Sequence, residues 1–168
     1  VIYNMQGGSG VYLRDCDQIL IAHNLLVNCE HSGIRMRKTP SRDRVGVCKH
    51  NRAINNVLAR CTVAFDYEVM ENVSDCNVLS DMGEDFSLAD WQASGLDAHT
   101  TEIELDIAID PEAQWLEWSS QTGAVMMVPG DELSSLDYFG RPYLGDEVTV
   151  GPFTEGWSPG CRRLRLGQ

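Results

Sequence analysis

Asp66 and Glu68 stand two positions apart in an alternating run. On an extended strand their side chains would share one face, with α-carbons about 6.6 Å apart. Paired carboxyl groups roughly 5–9.5 Å apart are the equipment of glycosidic hydrolysis, one protonating the leaving oxygen while the other attacks or activates water. A second set is basic. Arg35, Arg37, Lys38 or His31 could neutralise a carboxylate and take the proton beside it, which is what β-elimination from a uronic acid requires. Residue type alone does not separate base from clamp here, so both reaction types stay open.

Around these residues lies a set suited to holding a sugar chain. Tyr12 offers a ring for stacking, and Arg14, Arg35, Arg37, Lys38 and Arg42 offer donors, the arginines as forks that grip carboxylates or hydroxyls in paired hydrogen bonds. With Val11, Leu13, Ile34, Met36, Phe65 and Tyr67 turned inward, the alternation turns Tyr12, Arg14, Arg35, Arg37, Asp66 and Glu68 to solvent. Stacking would put Arg14 one rung from Arg37, and Arg37 one rung from Asp66. Like charges directly opposite on a sheet need compensation. A bound anion supplies it, and so does a ladder of Arg14, Arg37 and Asp66, helped by Asp15 and Asp17, with no ligand at all.

The elements that must carry these side chains repeat. Residues 10–15 (GVYLRD), 33–38 (GIRMRK) and 62–67 (TVAFDY) align, as do residues 23–29 (HNLLVNC), 55–61 (NNVLARC) and 76–80 (CNVLS), with Asn24, Asn56 and Asn77 in register. The separations of those asparagines imply a coil of a little over 20 residues, one turn carrying an insertion at residues 39–46. Short strands at such a period describe a stack of coils in which equivalent side chains lie about 4.8 Å apart and can form ladders. Asparagine suits a corner ladder because its amide donates and accepts and it tolerates left-handed backbone. The inserted loop, with Arg42, Asp43 and Arg44 followed by Lys49 and His50, would stand as a wall beside the charged face.

These segments, over roughly residues 8–82, resemble coils of right-handed parallel β-helix proteins of the pectate-lyase-like type. Residues 86–94 and the tail segments 136–142 and 148–153 resemble the closing segment of bacterial β-helix proteins in carbohydrate-active families. The resemblance implies an all-β fold: a right-handed parallel β-helix, or solenoid, fragment over residues 1–82. An acidic C-terminal capping segment of the same domain follows over residues 83–168, its helix and hairpin covering the open end. It implies a C-terminal part of a longer parent, with preceding coils as its neighbours. That parent would be a secreted or periplasmic glycoside hydrolase or polysaccharide lyase acting on a polysaccharide. The alternative is a non-catalytic glycan-binding or structural solenoid.

In the second half, Ser87 is placed to cap a short helix, with Asp90 three residues on and Gly95 at its end. Residues 102–109 alternate as a half-buried strand, residues 110–113 read as a turn, and residues 114–118 return as its hairpin partner. Phe139 and Phe153 are candidate core anchors. Asp131, Glu132, Asp137, Asp146 and Glu147 could give oxygen ligands to calcium, but without a regular loop spacing a solvated acidic surface accounts for them. Residues 161–166 form a basic tail expected to fray or to pack on the acidic segment.

Composition narrows the partners. The chain has 168 residues, a net charge of −12 and a pI near 4.6, a balance that repels phosphate backbones and anionic lipid, so nucleic acid and membrane are not expected partners. Residues 1–80 hold nine Lys and Arg against eight Asp and Glu, whereas residues 81–168 hold four against seventeen. The basic face therefore sits within an acidic protein. Six cysteines (Cys16, Cys29, Cys48, Cys61, Cys76, Cys161) form no zinc spacing, and they read as small apolar fillers with no metal assigned. The histidines His23, His31, His50 and His99 read as hydrogen-bonded structural groups, His23 at the asparagine corner. Residues 6–10 read as a turn rather than a phosphate loop, and residues 72–74 match an N-glycosylation acceptor, relevant only to a eukaryotic secreted chain.

Overall fold

A computed structural model describes residues 1–39, 46–67, 71–120, 127–129, 137, 139, 141–142, 147–152 and 160–165. Glu68, Arg42, Asp131, Glu132, Asp146 and Phe153 therefore lie outside the described residues, as does most of the inserted loop. The protein is mostly β, and its first eighty residues build parallel sheets. Strands β1 (Ile2–Met5), β4 (Leu25–Cys29), β7 (Val57–Ala59) and β10 (Val78–Ser80) lie side by side in one sheet. A second contains β2 (Val11–Arg14), β5 (Ser32–Arg37) and β8 (Val63–Tyr67), and a third β3 (Leu20–Ala22), β6 (Arg52–Ile54) and β9 (Val73–Asp75). The chain visits the three sheets in rotation and returns to each one strand further along.

Left-handed corners make this rotation possible. Gln18, His50 and Glu71 share one corner at φ +59°, +53° and +59°. His23, Asn55 and Cys76 share a second at +54°, +57° and +55°, and Asn4, Asn28, Arg60 and Asp81 a third at +53°, +55°, +53° and +52°. Each such residue costs about 1–2 kcal/mol relative to ordinary backbone. Asparagines just beyond two of the corners offset this. The Asn24 backbone N–H and Nδ2 both donate to Asn56 Oδ1 at 3.0 and 3.1 Å, and Asn56 repeats the pair onto Asn77 Oδ1 at 2.9 and 3.1 Å. A second ladder, not anticipated from the repeat, joins the Asn51 N–H and Nδ2 to Asn72 Oδ1 at 3.0 and 3.1 Å, while Asn51 Oδ1 accepts the Ile19 N–H at 2.9 Å.

Inside the rotation, Leu26, Leu58 and Leu79 occupy equivalent positions on neighbouring strands and are fully buried with Ile34, Met36 and Phe65. Each leucine so placed contributes about 1.5–3 kcal/mol of apolar burial. Gly10 and Gly33 open the second sheet's strands because the interior reaches the backbone there. A Cβ on Gly33 would lie 2.3 Å from Leu58 Cδ2, and one on Gly10 2.5 Å from Leu26 Cδ2.

The acidic half closes the structure differently from the expectation. The helix α1 (Leu88–Ala93) forms as anticipated, with Ser87 Oγ accepting the Asp90 N–H, and Trp91 stacks on Phe65 at a centroid distance of 5.8 Å. Residues 102–109 are not one strand. β11 (Thr101–Glu102) extends the first parallel sheet, and β12 (Leu105–Asp110) begins a separate antiparallel sheet with β13 (Trp115–Ser120). Of the two expectations for the basic tail, packing on the acidic segment holds and fraying does not: β16 (Gly160–Arg165) is the third strand of that antiparallel sheet, paired with β13. β14 (Met127–Pro129) and β15 (Glu147–Thr149) pair antiparallel in a separate two-stranded sheet.

The antiparallel sheet covers the outer face of the first parallel sheet. Leu105, Ile107, Leu116 and Trp118 pack with Leu25, Val27, Val57, Ala59 and Val78. This is why residues 25–27 and 57–59 are apolar without alternation: their sheet is buried on both faces. Helix and hairpin thus divide the capping role, α1 against the inner core and the hairpin along the flank. Phe139 joins the flank cluster.

The ladder predicts a graded cost. Asn56→Ala removes the acceptor for Asn24 and the donor to the Ile21 and Ile54 carbonyls, so it should destabilise by about 2–4 kcal/mol in urea unfolding. Asn24→Ala, at the half-buried end of the ladder, should cost nearer ~1 kcal/mol.

Candidate functional site

The second parallel sheet presents the charged face. Its register sets Tyr12 opposite Arg35, Arg14 opposite Arg37, and Arg35 opposite Asp66. The expected rung between Arg37 and Asp66 is therefore displaced by two positions along the strand, which keeps both side chains on the same face. Arg37 reaches the carboxylate diagonally instead: its Nη2 donates to Asp66 Oδ1, while Arg35 Nε lies 3.0 Å from Asp66 Oδ2. His31 Nδ1 stands 4.0 Å from that second oxygen. The Asp66 side chain is only 15% exposed, and both of its oxygens face cations.

Tyr12 and Arg14 are exposed at the first strand of the face. The Arg35 guanidinium lies over the Tyr12 ring, 5.2 Å from its centroid, an arrangement that holds both planes toward the same surface. Lys38 follows Arg37 and is exposed. At the end of the strands Asp15 accepts the Thr39 hydroxyl and, at 2.7 Å, the Thr39 N–H. These two hydrogen bonds, the hydroxyl first, hold the Asp15 carboxyl below the usual carboxylate range, with Arg14 adding a smaller favourable field. Tyr12, Arg14, Arg35, Arg37 and Asp66 thus meet on one surface. Glu68 and Arg42 lie outside the described residues.

Other titratable groups gather where the repeat runs into the capping segment. Asp97 is buried, and its carboxylate accepts Ser74 Oγ, Trp91 Nε1, Thr100 Oγ1 and, at 3.2 Å, Asn77 Nδ2. Burial pushes its carboxyl upward, and the four donors oppose this without cancelling it. Burial likewise pushes up the phenol of Tyr67, which is hydrogen-bonded to Ser74. Next to them, Asp75 Oδ2 lies 2.7 Å from His99 Nδ1, and Asp75 Oδ1 accepts the N–H groups of His99 and Cys76 at 2.8 and 2.9 Å.

Sequence reasoning missed this second group although a signal existed. Asp75 and His99 are 24 residues apart, and Asn77 and Thr100 are 23 apart. That is one coil period, so the rotation carries on one step past the last recognisable repeat with Thr100 in the asparagine's place. His50 also has a structural setting, with Nδ1 2.9 Å from Asp17 Oδ1 and Nε2 2.8 Å from Glu71 Oε2 across neighbouring corners. Asp137, one of the calcium candidates, is buried and accepts the Phe139 and Arg141 N–H groups at 2.9 and 2.8 Å, with the Arg141 guanidinium on its second oxygen.

An open groove of about 660 Å³ lies elsewhere, bordered by Arg60, Asp81, Glu102, Glu104, Asp106 and Ser119. It is acidic and shares no residue with the arginine face. Cys29, Cys48 and Cys61 are buried fillers as expected, whereas Cys16 and Cys76 are half-buried. No described helix is long and apolar enough to cross a membrane. No family model, no curated protein and no solved structure matches this chain.

The Asp15 contact gives a pH-dependent expectation. A carboxyl lowered in the folded state stabilises it above the ordinary aspartate range and loses that contribution as pH falls through the lowered value. An NMR titration of the Asp15 carboxyl should give a midpoint below that of an unfolded-chain aspartate. Thr39→Val, which removes the hydroxyl and keeps the N–H, should move the midpoint upward, and an unmoved midpoint would mean that the hydroxyl is not the dominant cause.

Proposed function

We propose that residues 1–82 are coils of a right-handed parallel β-helix of the pectate-lyase-like, carbohydrate-active kind, and that the face of β2, β5 and β8 binds an acidic oligosaccharide. Three parallel sheets visited in rotation, left-handed corners and asparagine ladders support the architectural part of this reading. The observation that carries the binding part is a charge imbalance. Arg14, Arg35 and Arg37 share one strand face with a single described carboxylate, Asp66, in a chain of net charge −12. Guanidinium forks beside an aromatic ring are suited to uronate carboxylates and sugar hydroxyls.

Cleavage at Asp66 is the weaker reading. An acid must present a proton, and a nucleophile a free lone pair, toward the scissile bond. Both Asp66 oxygens instead point at Arg35 and Arg37. In the binding role Asp66 orients the two guanidinium groups, leaving their outer edges for the ligand. A parent that is a glycoside hydrolase or polysaccharide lyase is compatible with this role, which makes the face a substrate subsite.

Titration with oligogalacturonate, followed by calorimetry and by chemical shifts on Tyr12, tests the reading. Binding should weaken as salt rises, and Arg14→Ala or Arg37→Ala should each weaken it about tenfold or more, as expected for losing a charge-assisted hydrogen bond worth about 1.5–3 kcal/mol. The neutral reduced oligosaccharide should bind more weakly than the acidic one. Equal binding of both, or no binding to the folded protein, overturns the proposal. Reducing ends lost in Asp66→Asn would replace it with hydrolysis, and unsaturated uronate with elimination by the basic set.

A further inference from the structure

At the corner after β9, one thiol, one imidazole and one carboxylate converge. The ligand atoms of Asp75, Cys76 and His99 all lie within 4.8 Å of one another. We infer that Asp75, Cys76 and His99 form a binding site for a zinc-type divalent metal ion, with its remaining position open to solvent. This inference is independent of the glycan reading, because none of the three residues lies on the arginine face.

The donor set selects the class of ion. Sulfur and nitrogen suit the borderline transition ions such as zinc and cobalt, whereas calcium and magnesium require six or more oxygens. In a tetrahedral site with metal bonds of about 2.0–2.3 Å, neighbouring donors stand roughly 3.2–3.8 Å apart. Asp75 Oδ2 and His99 Nδ1 are 2.7 Å apart, sharing a hydrogen bond, so admitting the ion requires them to separate by about 0.5–1 Å. His99 is exposed and able to make that movement, while Asp75 and Cys76 are half-buried.

The support behind the site is fixed. Asp75 closes strand β9, and Cys76 takes the left-handed corner immediately before the ladder asparagine Asn77, whose side chain is buried and hydrogen-bonded. The N–H groups of Cys76 and His99 hold Asp75 Oδ1, which turns the other oxygen toward the imidazole. Secondary hydrogen bonds of this kind orient carboxylate ligands in metal sites. Bound there, the ion would tie the last full rotation of the chain to the loop after α1, supplementing the Asp97 contacts alongside it. Binding releases the thiol proton to solvent and requires His99 Nδ1 to be free of its proton, which leaves to solvent from an imidazolium or is carried by Nε2 in the neutral ring, and no electron is transferred.

Cobalt(II) is the probe of choice, because a thiolate–cobalt bond gives a charge-transfer band and a tetrahedral site gives visible bands. The reduced, metal-stripped protein should show both on titration at neutral pH. Cys76→Ser should lose the charge-transfer band, and His99→Gln should weaken zinc in a chelator competition by at least the roughly 10–100-fold cost of losing even an outer-shell partner. Zinc should raise the melting temperature of the parent chain and not that of either variant. Cys16→Ser, which alters the other half-buried thiol among the described residues, should leave all three readouts unchanged. A parent chain without the thiolate band, or with one that persists in Cys76→Ser or disappears in Cys16→Ser, overturns the site. His99→Gln alters an exposed side chain and keeps the test decisive if Cys76→Ser fails to fold.

Discussion

The structure depends on one repeated interaction, in which an asparagine's backbone N–H and side-chain amide both converge on the Oδ1 of the next asparagine along the stack. A chain that turns sharply between three sheets brings polar backbone inward beside two of its corners, where Asn51, Asn56, Asn72 and Asn77 are buried. Unpaired groups there would each cost about 1–3 kcal/mol. Asn56 and Asn77, both fully buried, meet this demand by also donating to the Ile21 and Ala53 carbonyls of the preceding rotation. A hydrophobic side chain at the same positions would fill the space and leave those carbonyls orphaned.

Because the ladder fixes each rotation against the next, it also fixes what the strands carry. Leu26, Leu58 and Leu79 stack inside, and Arg35 falls opposite Asp66 outside. The two outcomes are linked by the alternation of a strand: a slip of one residue would expose Phe65 and bury Asp66. The polar corner, the apolar interior and the charged face are therefore consequences of a single register.

A ladder must also end. Thr100 Oγ1 accepts the Asn77 N–H at 2.9 Å, and Asp97 accepts its amide at 3.2 Å, so a hydroxyl and a carboxylate replace the missing asparagine. Asp97 then gathers Trp91, which lies against Phe65 and Tyr67, and thereby joins the end of the ladder to the helix that covers the interior. The same closing step brings His99 beside Asp75. The candidate metal site is thus a product of how the repeat terminates, not of the repeat itself.

Local information was enough for much of this. The repeated short strands, the register of Asn24, Asn56 and Asn77, the outward set Tyr12, Arg14, Arg35, Arg37 and Asp66, and the cap at Ser87 all follow from alternation and residue chemistry within a few positions. The ladder of Asn51 and Asn72 escaped because Ile19 fills the corresponding place in the first rotation and breaks the pattern. Tertiary structure alone decided that Arg35 rather than Arg37 faces Asp66, since pairing register depends on where both strands begin after their corners. It alone placed the antiparallel sheet on a flank and drew residues 160–165 into it, because that placement rewards apolar surfaces far apart in the chain. The meeting of Asp75, Cys76 and His99 belongs to the same class: composition supplied the donors, and only the closing rotation brought them together.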